Sequence, residues 1–461
     1  MLSKTIILRS IIAMLAISTL WSCSDDDDID LPDLTASFST KETSIGADET
    51  SATVTVTLSR KADIAGTLNV TLASEKLAYT TQYTTEPSAN GSTVALPVSV
   101  GATQVTFLVK KTDGALFDGD EVLNMTLASE TQGLLLGANT ELKLSFGEVL
   151  STGDVTSADM GGKDEGKQAY FDLSANRQWS KEANSWDLMF TNGSDFVVKL
   201  NYSNSVRAVS VGKSDFSAIT EQDITDAKAK IPGGFSDPIT SIDSETGSLD
   251  ETAVAPISVT ATENMVHLLR FPGQEANTFT WKLAKFYRKN GGYVITHKMP
   301  EESTTKTLDV PKNADKGDFT HVSIKSNEIV DLVPANWDIA FTRMSVRLNM
   351  GGTSIAYEYK DYVIHGSGCS SAIVTLGEGQ ELDSEFKAFD KTKAEALELS
   401  SVQNTIGSQW RSLGMNGASI KTDRFFVLKD ASGNYYKLRF ISLTNDGGER
   451  GYPKFEYRLL Q

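Results

Sequence analysis

Between Ala36 and Phe146, apolar and polar residues alternate in short runs: SATVTVTLS (51–59), GTLNVTLAS (66–74), STVALPVSV (92–100), TQVTFLVKK (103–111), EVLNMTLAS (121–129) and TELKLSF (140–146). Val and Leu on one side with Thr and Ser on the other predict strands half buried in a sandwich. About seven such strands in roughly 110 residues suits an immunoglobulin-like sandwich over 36–147.

Beyond Gly147 the pattern repeats. WDLMFT begins at Trp186 and WDIAFT at Trp337, 151 residues apart. A strand-like segment precedes each, QAYFDLS (168–174) and FTHVSIK (319–325). Each repeat closes on alternating runs: VHLLRF (266–271), FTWKLAKF (279–286) and GYVITHKM (292–299) in the first, RFFVLKDASGNYYKLRF (424–440) and PKFEYRLL (453–460) in the second. The turn DASGN supplies the Gly and Asn that positive φ values require. Two similar β-rich domains are expected, 150–305 and 306–461. Their middles have weak helical character, as in SEFKAFDKTKAEALEL (384–399), and the polar stretch 299–318 reads as the linker between them.

The N-terminus follows other rules. Lys4 and Arg9 precede an uncharged, mostly apolar run, Ser10–Trp21, too short to span a bilayer as a stable helix. This is the plan of a secretory signal over 1–22. Leu20-Trp21-Ser22-Cys23 resembles a bacterial lipobox, which implies that Cys23 becomes the lipid-modified first residue. Asp25 to Asp28 must stay solvated, so 23–35 is an acidic tether. The run Cys-Ser-Asp-Asp-Asp-Asp resembles the signal that sends some lipoproteins to the outer face of the outer membrane. A surface-exposed, lipid-anchored protein of the outer membrane is expected, touching the membrane through its anchor alone.

Composition narrows the chemistry. After signal removal Cys369 is the one thiol besides Cys23, which excludes an intramolecular disulfide framework and cysteine-based zinc sites. The net charge of −17 becomes −19 without Lys4 and Arg9, which argues against nucleic acid as a partner. Four histidines leave few candidate bases, and neither a zinc-protease motif, a nucleophile elbow nor a phosphate-binding loop occurs. HGSGCSS (365–371) has the composition of a nucleophile loop without its strand-to-helix frame or a paired base. His267, His297 and His321 sit inside alternating strands, where a structural role is the expectation. No enzymatic activity is expected.

The stretches FDGDEVLNMTLAS and TTQYTTEP resemble a Calx-β domain. That family binds calcium through clustered carboxylates, because a hard cation takes six to eight oxygens. Asp118, Asp120 and Glu121 match part of the cluster, but Gln82 stands where the family has an aspartate, and GEV replaces the terminal acidic run. A carboxylate-bearing turn in a spacer domain is the favoured reading.

In the second repeat NWDIAFTR (336–343), VRLNMGGTS (346–354) and RFFVLKDASGNYYKLRF resemble the HmuY family of outer-membrane haem-binding lipoproteins, with a fainter echo over 150–305. The Trp-Asp pair itself is expected to be architecture, with the indole in the core and the aspartate bonded to backbone amides. The resemblance implies haem or porphyrin capture by two axial His or Met ligands, and delivery to a receptor in the same membrane. Met415, in WRSLGMNGAS, falls near one ligand position. Residues 378–409 contain neither His nor Met, so His365 or Met350 would have to complete the pair. The competing expectation is a non-catalytic surface module that binds glycan, protein or another small molecule on the same scaffold.

Overall fold

The computed structural model describes residues 32–275, 277–332, 337–414 and 417–461. The chain divides into two compact units. One ends at Asp113 and resumes over Glu121–Phe146; the other holds Gly114–Asp120 and Gly147–Gln461. The protein is all-β, with three short α-helices among the described residues.

The first unit is an immunoglobulin-like sandwich of two five-stranded sheets. One sheet orders Tyr83–Glu86, Gln104–Lys111, Ser51–Leu58, Leu34–Phe38 and Leu134–Leu136; the other orders Glu42–Ile45, Glu141–Phe146, Val122–Ser129, Gly66–Ala73 and Thr93–Val98. The alternation seen in the sequence is the alternation of burial. Val54, Val56 and Leu58 are buried while Thr53 and Thr57 are exposed. Tyr83 of one sheet meets Phe146 of the other, ring centroids 6.4 Å apart. Four short strands (34–38, 42–45, 83–86 and 134–136) escape the sequence pattern, since three to five residues are too few to establish a period.

The second unit contains two β domains, one nested inside the other. The inner domain runs continuously from Trp186 to Val330. Its four-stranded sheet orders Val198–Leu200, Leu188–Thr191, Phe319–Ser323 and Glu328–Val330, and its five-stranded sheet orders Arg207–Ser210, His267–Pro272, Phe279–Lys289, Gly292–Lys298 and Lys306–Val310. Leu188, Phe190, Leu269, Phe271, Phe286, Ile295 and Val322 form its core. The outer domain is built from both ends of the unit. Arg177–Glu182 and Lys167–Asp172 join Ile339–Met350 and Thr353–His365 in one sheet, while Gly153–Ser157 pairs with Arg450–Leu460 at the edge of the other. Phe171 of the first repeat packs in one core with Phe341, Trp410, Phe440 and Phe455 of the second.

The expected boundary at 305/306 therefore does not separate the sheets. The strands that precede the two Trp-Asp motifs are exchanged: Lys167–Asp172, upstream of Trp186, pairs with Ile339–Met350, and Phe319–Ser323, upstream of Trp337, pairs with Leu188–Thr191. The stretch 299–318 contains the strand Lys306–Val310, which is polar because it is an edge strand with Val310 as its one buried residue. Phe425 and Phe426 point to opposite faces of Arg424–Lys429 and both are buried. Phe426 enters the domain core, and Phe425 packs under Phe386 and Phe389 of the segment carrying helices Leu382–Ala388 and Lys391–Glu395.

Candidate functional site

The two four-stranded sheets pair in the same register around Leu188 and Ile339. Leu188 pairs with Val322 and Leu200, and Ile339 pairs with Phe171 and His365. One step along, Met189 lies between Lys199 and His321, and Ala340 lies between Ile364 and Tyr170. His321 thus corresponds to Tyr170, and Lys199 to Ile364. Because strand side chains alternate, Leu188, Phe190 and Val322 enter the inner core and leave Lys199, Met189 and His321 as a row on the other face.

That row lines a cavity of ≈ 840 Å³ between the inner and outer domains, in the size range of small-molecule sites. From the outer domain Tyr170, Trp337, Ile364 and the loop His365–Ser370 complete the wall, with Gln403 beside them. The aromatic groups are ordered by edge-to-face contacts. Tyr170 and Trp337 lie 5.2 Å apart at 76°, and the equivalent pair His321 and Trp186 lies 5.0 Å apart at 89°. Tyr202 meets Trp186 at 5.5 Å and joins the hydrophobic clusters of both domains.

The two Trp-Asp motifs share their backbone chemistry and differ in their indoles. Asp187 accepts from the Lys325 amide at 3.2 Å, and Asp338 accepts from the Leu173 amide at 2.7 Å. Trp186 is fully buried and donates through Nε1 to Gln168 Oε1 at 2.9 Å. Trp337, expected in a core, is half-buried in the cavity wall instead. The loop after His365 passes so close that a Cβ on Gly366 would collide with the Trp337 carbonyl oxygen.

Burial holds the His321 imidazole down to about 4, so it is neutral at physiological pH with a lone pair available. His365 is 3% exposed; its Nδ1 bonds the Gly366 carbonyl at 3.0 Å, while its buried Nε2 has no hydrogen-bond partner. His267 and His297 have structural partners, the Met265 carbonyl at 3.1 Å and Asn327 Oδ1 at 2.8 Å. The Cys369 thiol is pushed up by burial and by Asp338 and Asp430, which removes its nucleophilic character. Burial pushes the Asp338 carboxyl up to about 7 against the Leu173 hydrogen bond.

Of the residues singled out from the sequence, His365 is in the cavity wall. Met350 ends its strand at the far end of the same hairpin, where Met350 pairs with Thr353 and His365 with Ile339. Eleven residue steps along Ile339–Met350 separate those pairs, roughly 36 Å, so the two cannot serve one iron. Met415 lies outside the described residues, as does Cys23; the hairpin Arg411–Gly414 and Gly417–Ile420 is anchored at its base by Arg411 Nε donating to Asp361 Oδ1 at 2.6 Å. Asp118, Asp120 and Glu121 lie within four consecutive residues. Asp118 is half-buried, Asp120 exposed and Glu121 buried. His321, which the sequence reads as a structural strand histidine, lines the cavity. Its signal was positional, since it stands in the segment that precedes one Trp-Asp motif and pairs with the other.

The HmuY protein family model matches residues 315–457. The span includes both Phe319–Ser323, which lies in the inner domain, and the outer-domain strands from Ile339 onward, but leaves out Lys167–Asp172. No curated protein matches the chain. Among solved structures, a putative carbohydrate binding protein from Bacteroides ovatus ATCC 8483 is similar at 11% identity, covering 93% of this chain and 98% of its own, with a TM-score of 0.22. The apo-form Calx CBD1 domain is similar at 13% identity over 26% of this chain and 99% of its own (TM-score 0.22). Apo PinO from Porphyromonas gingivitis is similar at 13% identity over 42% of this chain and 90% of its own (TM-score 0.14). No helix among the described residues is long and apolar enough to cross a membrane.

Proposed function

We propose that the chain is a non-catalytic binding protein that holds a small ligand in the cavity between its inner and outer domains. The observation that carries this reading is the ≈ 840 Å³ cavity itself, walled by aromatic side chains and a neutral imidazole. Haem or a porphyrin is the ligand class put first. The HmuY match over 315–457 supports it, and so do His321, Tyr170 and Trp337 in one wall. Iron needs a nitrogen or sulfur lone pair, and the macrocycle needs flat apolar surface. In this reading His321 replaces Met415 and Met350 as the residue to test. His365 would need its ring to move before Nε2 met an iron, since that atom is buried. Haemin titration of the full chain, read in the visible spectrum, tests the proposal.

A glycan or another small polar ligand is the second reading. The half-buried indole of Trp337 and the hydroxyl- and amide-bearing rim of Ser194, Ser248, Ser367, Ser401 and Gln403 support it. Aromatic faces with nearby hydrogen-bonding groups suit a sugar ring. A chain that ignores haemin but is stabilised by a glycan belongs to this reading. We assign no calcium to the Asp118 loop. Lipid anchoring at Cys23, display on the outer membrane and transfer to a receptor there complete the proposal.

A further inference from the structure

We infer that the ligand of this cavity carries a carboxylate, and that Lys199 is the residue that reads it. The inference rests on the cavity being the ligand site, and it narrows the ligand's chemistry in either reading of its class.

Lys199 sits in the middle of the strand Val198–Leu200 and lines the cavity, yet it is only 3% exposed. An ammonium has three donors. One of them reaches the Gly247 carbonyl at 3.1 Å. Among the described residues no carboxylate oxygen lies within the 4.0 Å of an ion pair with its Nζ. Asp243 acts on it from farther away, and each Asp243 oxygen already accepts one backbone amide. They accept from the Leu200 amide at 2.6 Å and the Ala253 amide at 2.9 Å. Asp195 and Asp318 line the same cavity without pairing with it.

A buried cation with unused donors is costly unless a partner completes it. The repeat says that the fold does not require the cost. At the equivalent position of the outer sheet stands Ile364, 1% exposed and packed in a hydrophobic cluster. An aliphatic side chain therefore satisfies this place in the architecture, and the lysine answers to something else. A carboxylate entering from the cavity would accept the free N–H groups and neutralise the charge, in a charge-assisted bond stronger than a neutral one. The burial that lowers the Lys199 pKa would be offset by the same contact.

Two kinds of molecule carry that group: a porphyrin with its propionates and an acidic sugar. The experiment separates them. The full chain, Lys199→Met and Lys199→Arg are titrated with haemin and with haemin dimethyl ester, read by the visible spectrum. Wild type is expected to prefer the free acid by on the order of tenfold, the loss expected for one charge-assisted hydrogen bond. Lys199→Arg keeps the preference and Lys199→Met abolishes it. Equal affinity of wild type for acid and ester, or an undiminished preference in Lys199→Met, overturns the inference. If wild type takes up neither porphyrin, haem is excluded and the second arm decides. There, thermal unfolding is followed with glucuronate and with glucose. Stabilisation of wild type but not Lys199→Met by glucuronate alone supports the inference; no difference between the two proteins overturns it. Lys199→Met is expected to fold, because Ile364 already occupies the matching position.

Discussion

Trp186 and Gln168 join the two nested domains through a hydrogen bond: the indole Nε1 of the inner domain donates to Oε1 of a glutamine on the outer-domain strand Lys167–Asp172, 2.9 Å away. The same Gln168 turns its Nε2 to Thr342 Oγ1 at 3.0 Å. All three side chains are buried, so the chain Trp186–Gln168–Thr342 ties the segment leading into Leu188–Thr191 to two outer-domain strands. Trp186→Phe would keep most of the ring and strand the Gln168 oxygen in the interior. We expect a loss of about 1–3 kcal/mol in unfolding free energy by chemical denaturation. A change within experimental error would mean that the bond does not couple the domains.

Nesting changes which fragments can fold. Residues 186–332 hold every strand of both inner-domain sheets, whereas 306–461 lacks Gly153–Ser157, Lys167–Asp172 and Arg177–Glu182 and leaves Ala169 and Phe171 out of the outer core. The fragment 186–332 should unfold cooperatively on heating, and 306–461 should show no cooperative transition. The opposite result would contradict the strand exchange.

The buried histidines set an acid limit. Burial depresses His267 to about 4 from an ordinary 6.5, so the unfolded chain binds its proton first as pH falls. The stabilising effect of the neutral ring is complete above pH 6.5 and is lost between 6.5 and 4. Over that window the loss from this one group reaches about 3 kcal/mol. Asp338, raised to about 7, runs the other way: its contribution is complete below 3.8 and fades as pH rises through 7. His267→Phe should therefore flatten the fall in melting temperature between pH 6.5 and 4. An unchanged slope would show that His267 is not buried neutral.

The lipid anchor is separable from the binding site. Cys23→Ala is expected to leave the protein out of the membrane fraction while the folded body keeps the wild-type melting temperature. Recovery of the variant with the membranes would remove Cys23 from the account.

How much of this could be read from sequence follows from which interactions are local. The alternation of 51–59, 66–74 or 103–111 reports one buried face, and those strands lie within a residue or two of the pattern. The lengths and turns of the closing strands in each repeat were legible for the same reason. The exchange was not, because QAYFDLS and FTHVSIK suit either Trp-Asp strand equally and nothing local says which is the partner. The cavity was hidden for a different reason. Tyr170, Lys199, His321 and Gln403 are each unremarkable in their own segments, and it is the nesting that brings them together with His365. His321 looks like an ordinary strand histidine until its neighbour Met189 and its counterpart Tyr170 are known.

The most direct measurement is a haemin titration of the full chain beside His321→Ala, followed at the Soret band. The account predicts a saturable shift at one haem per chain in the wild type and a large loss of that shift in the variant. No shift in the wild type, or an undiminished shift in His321→Ala, would contradict haem capture at this cavity.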